Sequence, residues 1–547
     1  MPANKVKSLD YQSLSKSAKQ SGAKGENQTS LKAAGNSNNE KNDAPTENLD
    51  NPAKKEKNQF ASETFSDTKK TSESESFVPE KGEPQKVNFA PPNETDYAGQ
   101  QKRNKQEKKA EKDRRLLSGD RWLVKNGHSL TYLGLYLFSI LVLFRPYELI
   151  PSLSFLSATA FYFAVVTLAV YVPTQLSAEG SLTTLSTEVK CVLAMTALGL
   201  LTMLIGKDLA ASWTTFNDLF IKSVLIFIVM VNVVRTRRRL INLMWLSLSV
   251  GLYLSYTAIY LSMTGEMKIE GYRVDVEVRG LFGNPNDMAL HLVTMTPIAI
   301  VLGIASQNRL TRILYFVMAG LFVAANVVTY SRGGFLGLIA AAAVLAWKLG
   351  RKNRLKVLAA SASAGGLFIL AAPGNYGLRL LSIFIPGLDP VGSSDQRKGL
   401  FFRSIFVTLR NPWGIGMGNS PVMNDSNLQW HNAFMQVASE LSILGLVVYL
   451  IFLVSPFRKL GAIERTLFAR NELDWFYYLA IGLQASIVGF MVSSFFVSVA
   501  YNWFVYYLIA YAVAFRRIYQ IEKNVKVEAA SKSLSELGKN LLGWQSA

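Results

Sequence analysis

The chain has 547 residues, 49% of them hydrophobic and 11% aromatic, with one cysteine, Cys191, and three histidines. A single cysteine excludes an internal disulfide, and no Cys/His spacing of a metal site occurs, so zinc or redox chemistry is not expected. The formal net charge of +19 is scattered in short basic clusters between apolar runs, which fits positive cytoplasmic loops and not a nucleic-acid surface.

Residues 1–125 are rich in Lys, Glu, Ser, Asn and Pro and lack aliphatic periodicity, the composition of a disordered tail. No apolar segment follows a short basic start, so the tail does not read as an export signal and is expected to stay cytoplasmic. The basic stretch Lys102–Arg121 near its end favours that orientation and suits anionic lipid headgroups.

From residue 126 onward, apolar segments follow one another, each near the ~20 residues a bilayer requires. They lie near 130–145, 154–173, 189–206, 219–234, 240–262, 287–305, 312–330, 333–348, 355–373, 432–454, 477–498 and 501–515. The reading is an all-α, polytopic membrane bundle of about twelve transmembrane helices. Helices one to nine occupy 126–373, a large loop 374–430, helices ten to twelve 431–515, and a cytoplasmic C-terminal tail 516–547.

With the N-terminal tail inside, the clusters Arg235–Arg239, Arg309 with Arg312, Lys348–Lys356, Arg458–Arg470 and Arg516–Lys526 all fall on the cytoplasmic side. The outer side receives Asp208–Asp218, Glu266–Asp287, the Tyr330–Gly334 turn and the long loop. That loop, roughly sixty residues, is too long for a passive connection. It holds Arg397, Arg403, apolar stretches suited to short helices on the membrane, and the run Asn411-Pro-Trp-Gly-Ile-Gly-Met-Gly. Its glycines would allow backbone amides to approach a phosphate.

Three polar clusters therefore share the outer face: Arg279 with Asn284–Asp287, Ser331–Gly334, and Trp430–Asn432. Asn286 or Asp287 is expected to cap a helix beginning near Met288. Arg332 sits between two apolar helices with almost no loop, where a ligand phosphate would match its planar guanidinium; a snorkelling interface arginine is the plainer alternative. His431 has an ordinary pKa of ~6.5 and can accept a proton when neutral. His128 and His291 default to structural roles. No Gly-x-Ser-x-Gly elbow or P-loop is present, so arginines with a histidine point to displacement of a phosphate leaving group by an activated hydroxyl.

The ordered motifs Arg279-Gly-Leu-Phe-Gly-Asn-Pro-Asn-Asp-Met-Ala, Tyr330-Ser-Arg-Gly-Gly, Asn411-Pro-Trp-Gly-Ile-Gly-Met-Gly and His431-Asn-Ala-Phe-Met-Gln-Val-Ala-Ser-Glu-Leu-Ser-Ile-Leu-Gly resemble those of the bacterial O-antigen ligase and polymerase superfamily, across roughly residues 130–515. Arg145-Pro-Tyr resembles its O-glycosylation-ligase-like subgroup. The resemblance implies a twelve-helix glycosyltransferase of the bacterial inner membrane, both termini cytoplasmic, with a large periplasmic loop. It implies transfer or polymerisation of glycan from an undecaprenyl-pyrophosphate-linked donor onto a glycan, lipid or protein acceptor, without metal or cofactor. It gives Arg279 and Arg332 the donor pyrophosphate, with Arg397 as a further loop arginine, and His431 the catalytic role. The long tail departs from the family pattern. The competing reading is a transporter or flippase of lipid-linked glycans, which should show pseudo-repeated halves and a charged central cavity.

Overall fold

A computed structural model describes residues 122–265, 284–357 and 393–544, with shorter pieces at 107–109, 111–112, 268–269, 273–274, 282, 359–360 and 363. All lie within one unit, Ala90–Ala547. Arg279, most of the expected ninth span and the first part of the long loop fall outside the described residues, as does nearly all of the N-terminal tail.

Among the described residues, ten helices are long and apolar enough to cross a membrane, the make-up of a multi-pass membrane protein. They coincide with ten of the twelve expected segments, and the differences have local causes. The second helix, Leu156–Glu179, carries Pro173 inside it and ends where Gly180 takes φ 66°. The fourth begins early, at Leu209, because the Asp208 carboxylate accepts from Ala211 N, and it passes through a π-helical turn at Thr215–Phe220. The expected tenth segment is broken: a short helix Ala433–Glu440 precedes the spanning helix Ser442–Ala469, with Leu441 between them and Ser442, the first residue of the second, at φ 85°.

The expected twelfth segment becomes the front of a 42-residue helix, Trp503–Trp544, so the chain beyond Phe515 continues this helix instead of leaving as a separate tail. Its first turns are buried on every side, and its tyrosines are satisfied inside the bundle. Tyr507 shares a 2.8 Å hydrogen bond with Ser139, and Tyr511 a 2.7 Å hydrogen bond with Ser247. The buried helix Pro285–Ala305 packs nearby, its His291 bonded at 3.0 Å to the Ser247 carbonyl. By contrast Leu156–Glu179 exposes Phe161, Tyr162 and Val166, as a lipid-facing helix should.

Four of the five basic clusters assigned to one face meet at one end of the bundle, joined by buried acids. Glu179 binds Arg235 and Arg517. Glu188 binds Lys459 at 2.9 Å and Arg516 at 3.1 Å. Glu464 binds Lys348 at 2.8 Å and Arg351 at 2.7 Å, and Arg237 pairs with Glu522. Helices alternating from this end carry the Ser331–Gly334 and Trp430–Asn432 clusters to the other.

Candidate functional site

The N-terminal ends of helices Pro285–Ala305 and Arg332–Leu349 are tied by one polar network. Arg273, on a two-residue strand paired antiparallel with Lys268–Ile269, is 6% exposed. Its Nε donates to the Thr329 carbonyl at 3.1 Å and its Nη2 to Asn286 Oδ1 at 2.9 Å. Ser331 Oγ donates to the same Asn286 oxygen at 2.9 Å while accepting from Gly334 N at 3.2 Å, which caps the second helix. Asn284, not Asn286 or Asp287, caps the first: its extended backbone places Oδ1 2.9 Å from Asn286 N, and Pro285 fills the first helical position, where no N–H is needed. Gly334 lets the two helices touch, since a Cβ there would lie 2.7 Å from the Ala289 Cβ.

Arg332 is thereby fixed, half-buried, as the first residue of its helix. A cation at the positive end of a helix dipole adds to a field that favours an anion. Tyr330, just before it, takes φ 52° and reverses the chain. Arg145 (φ 47°) and His431 (φ 53°) share this left-handed conformation, which costs a residue bearing a Cβ of order 1 kcal/mol or more and gathers at functional sites.

His431 is half-buried ahead of helix Ala433–Glu440. Asn432 caps that helix, its Oδ1 accepting from Phe434 N at 2.9 Å and Met435 N at 3.0 Å. Trp430, 1% exposed, donates through Nε1 to Ser439 Oγ at 2.8 Å. Burial, reinforced by the Arg397 guanidinium, lowers the His431 pKa to about 4. Arg397 projects from helix Ser393–Arg410, which forms part of the expected loop. Two of the expected site residues are thus electrostatic neighbours. Aromatic contacts extend the junction: Phe401 and Phe434 both pack on Phe495, and the adjacent Phe496 lies where a Cβ on Gly333 would be 2.9 Å away. Gly333 neighbours Arg332 in the chain, so the second and third clusters share one wall. At the same end, Lys207, Arg403, Asn424 and Asp425 line a cleft of about 380 Å³.

The glycine-rich run answers the sequence expectation differently, because its amides serve the protein's own carboxylate and not a phosphate. Gly418 N donates to Glu440 Oε2 at 2.9 Å and Ser420 N to Oε1 at 3.3 Å, while Gly416 N reaches the Glu440 carbonyl at 3.2 Å. Gly418, at φ 74°, cannot be replaced, since a Cβ would sit 2.2 Å from Thr215 Oγ1. Asn419 ties the loop to the fourth span by accepting from Asp208 N at 2.9 Å and donating to Ser212 Oγ at 2.7 Å. Burial pushes Glu440 up to about 7 against the pull of those amides.

Sequence reasoning passed over Glu440 and Arg273. Glu440 lies within the His431 motif, and glycines at every second position from 414 to 418 signalled a backbone partner. Arg273 was hidden because its loop offered Arg279 inside a motif. Among the described residues no three His, Cys, Asp or Glu side chains form a group suited to a metal. No protein-family model and no curated protein matches the chain.

Proposed function

We propose that this protein is a bacterial inner-membrane glycosyltransferase of the O-antigen ligase or polymerase type, with about twelve spans and its site at the periplasmic face. It takes glycan from an undecaprenyl-pyrophosphate-linked donor and passes it to a hydroxyl of a glycan, lipid or protein acceptor. The observation that carries this reading is that helix Ser393–Arg410, which bears Arg397, packs on helix Ala433–Glu440 just after His431, at the end of the bundle where Arg332 begins its helix.

Arg332 and Arg397, with Arg279, bind the donor pyrophosphate. The acceptor oxygen attacks the anomeric carbon while the bond from that carbon to the phosphate oxygen breaks. His431 takes the acceptor proton, and undecaprenyl pyrophosphate leaves as an anion stabilised by the arginines. With a pKa of about 4, His431 is neutral at physiological pH and free to accept a proton, though a weak base. A pyrophosphate beside Arg397 offsets the charge that depresses it and raises its basicity when the donor is bound. The acid clusters at the opposite end fit a cytoplasmic surface with both termini inside.

In cells, His431→Ala is expected to abolish glycan transfer while lipid-linked donor accumulates and protein level stays normal. Undiminished transfer would refute the assignment. Deleting the gene and identifying the altered surface or secreted glycan names the acceptor.

A further inference from the structure

Helix Ser393–Arg410 has two apolar sides, and one of them is left uncovered. Leu400, Ser404, Val407 and Thr408 are buried, and Leu400 and Val407 pack with Ile415 and Trp430 where this helix meets Ala433–Glu440. Phe402, Phe406 and Leu409 recur at four- and three-residue intervals on the opposite side and stand exposed; Trp413, just beyond the helix, is 79% exposed. Scattered exposed apolar residues need no explanation, but a stripe of large ones, mostly aromatic, marks a surface that meets something other than water.

Neighbouring elements fix the depth of that stripe. Helix Thr187–Leu204 starts at the charged end, where Glu188 binds Lys459 and Arg516, so Leu204 lies at the opposite end. The turn Asn411–Gly414, closed by a 3.0 Å hydrogen bond from Gly414 N to the Asn411 carbonyl, presents Trp413 there. Gly414 is wedged between the last turn of that span and the first residue of the span Ser442–Ala469. A Cβ on it would lie 3.0 Å from Thr202 Cγ2 and 3.0 Å from Ser442 N. Leu204 and Leu444, at these span ends, are exposed as lipid-facing residues are. Trp413 thus sits where two spans leave the bilayer, the level at which tryptophan collects in membrane proteins.

Cations border the stripe. Arg403 and Arg410 run along one edge of it, and Lys207, shortly after Leu204, lines the cleft of about 380 Å³ together with Arg403. Arg403 Nε donates to the Met423 carbonyl at 3.1 Å, which holds the guanidinium in place. Lys207 and Arg410 meet no carboxylate among the described residues, and Asp425 is the one acid among them that lines the cleft. A second copy of this chain would bring the same cations to the contact. A bilayer instead stacks anionic phosphates directly above its acyl chains, which matches an apolar stripe with a basic edge.

We propose that helix Ser393–Arg410 lies in the membrane surface at this end of the bundle, with Phe402, Phe406, Leu409 and Trp413 among the acyl chains and Lys207, Arg403 and Arg410 on the phosphates of anionic phospholipid. Arg397 falls on the bundle-facing side, in line with Leu400, Ser404 and Thr408, so the bilayer seats the helix that carries it. The inference concerns the membrane and stands apart from the transfer reaction.

The test uses the full-length protein in nanodiscs of mixed phosphatidylcholine and phosphatidylglycerol, with a bimane fluorophore on Phe406→Cys and, separately, on Leu409→Cys. Cys191 is buried and does not compete for the label. Lipids carrying an acyl-chain nitroxide should quench both fluorophores, and aqueous iodide should not. Nitroxide phosphatidylglycerol should quench more strongly than nitroxide phosphatidylcholine. Lys207→Gln, Arg403→Gln and Arg410→Gln should each lower that preference by up to about fivefold, the worth of one basic residue at an anionic surface. Quenching by iodide in place of lipid would show a water-facing helix and overturn the inference. Quenching by neither would show that protein covers the stripe, and would overturn it too. Equal quenching by the two lipids would overturn the assignment of the three cations to anionic phosphate.

Discussion

The two ends of the bundle treat buried acids in opposite ways. At the end carrying the basic clusters, Glu179, Glu188 and Glu464 are each clasped by two cations. At the other end Glu440 is held by backbone amides, and Asp287 Oδ1 receives no hydrogen bond among the described residues. Charge saturated by charge holds helices together and leaves nothing for a ligand. Charge held by neutral groups keeps its field, and that is the end where His431, Arg397 and Arg332 gather.

The contrast predicts separable losses. Glu188→Ala strands Lys459 and Arg516 and should destabilise the protein by about 3–5 kcal/mol, the cost of breaking a buried pair, seen as a lower melting temperature with donor affinity unchanged in the folded fraction. Altered donor affinity there would erase the division between the ends. Arg332→Ala should do the converse, weakening donor binding about ten- to a hundredfold, the value of one or two charge-assisted hydrogen bonds, with little change in melting temperature. Arg332→Lys should recover only a small part, because an ammonium lacks the planar fork; full recovery would argue for a simple point charge.

Glu440 offers a finer test. Its folded pKa, about 7, lies above the ordinary 4.5, so the folded state prefers the protonated form. That contribution is complete below about pH 4.5 and is lost as pH rises through about 7. Melting temperature of the wild type should decline across this window relative to Glu440→Gln. Parallel profiles would show that Glu440 does not titrate there. The smallest effect concerns His431, whose pKa of about 4 should rise when undecaprenyl pyrophosphate is added, as followed by imidazole NMR shifts. A static value would place the phosphate away from Arg397.

Much of this architecture was legible in the chain because bilayer-spanning helices must be long and apolar, and because basic residues collect at one set of helix ends. The Ser331–Gly334 and His431 motifs were legible as sharp polar interruptions. The break at Ser442 was not, since the apolar run from Ala433 through Val454 reads as one helix, and only the glycine loop packed against Glu440 divides it. The long helix from Trp503 was shortened in the reading because Arg516 and Arg517 looked like a membrane boundary; in the fold they bind Glu188 and Glu179 and the helix runs on. Glu440 escaped notice because its amide partners lie about twenty residues earlier, a pairing that no local pattern encodes.

The central claim is that His431 takes a proton in a transfer that releases undecaprenyl pyrophosphate. With purified protein in nanodiscs, labelled lipid-linked glycan and acceptor, the wild type should release one carrier pyrophosphate for each glycan transferred. His431→Ala should still bind the donor but release carrier at least ~100-fold more slowly, the usual worth of a general base. Equal release rates from the two proteins would contradict the account.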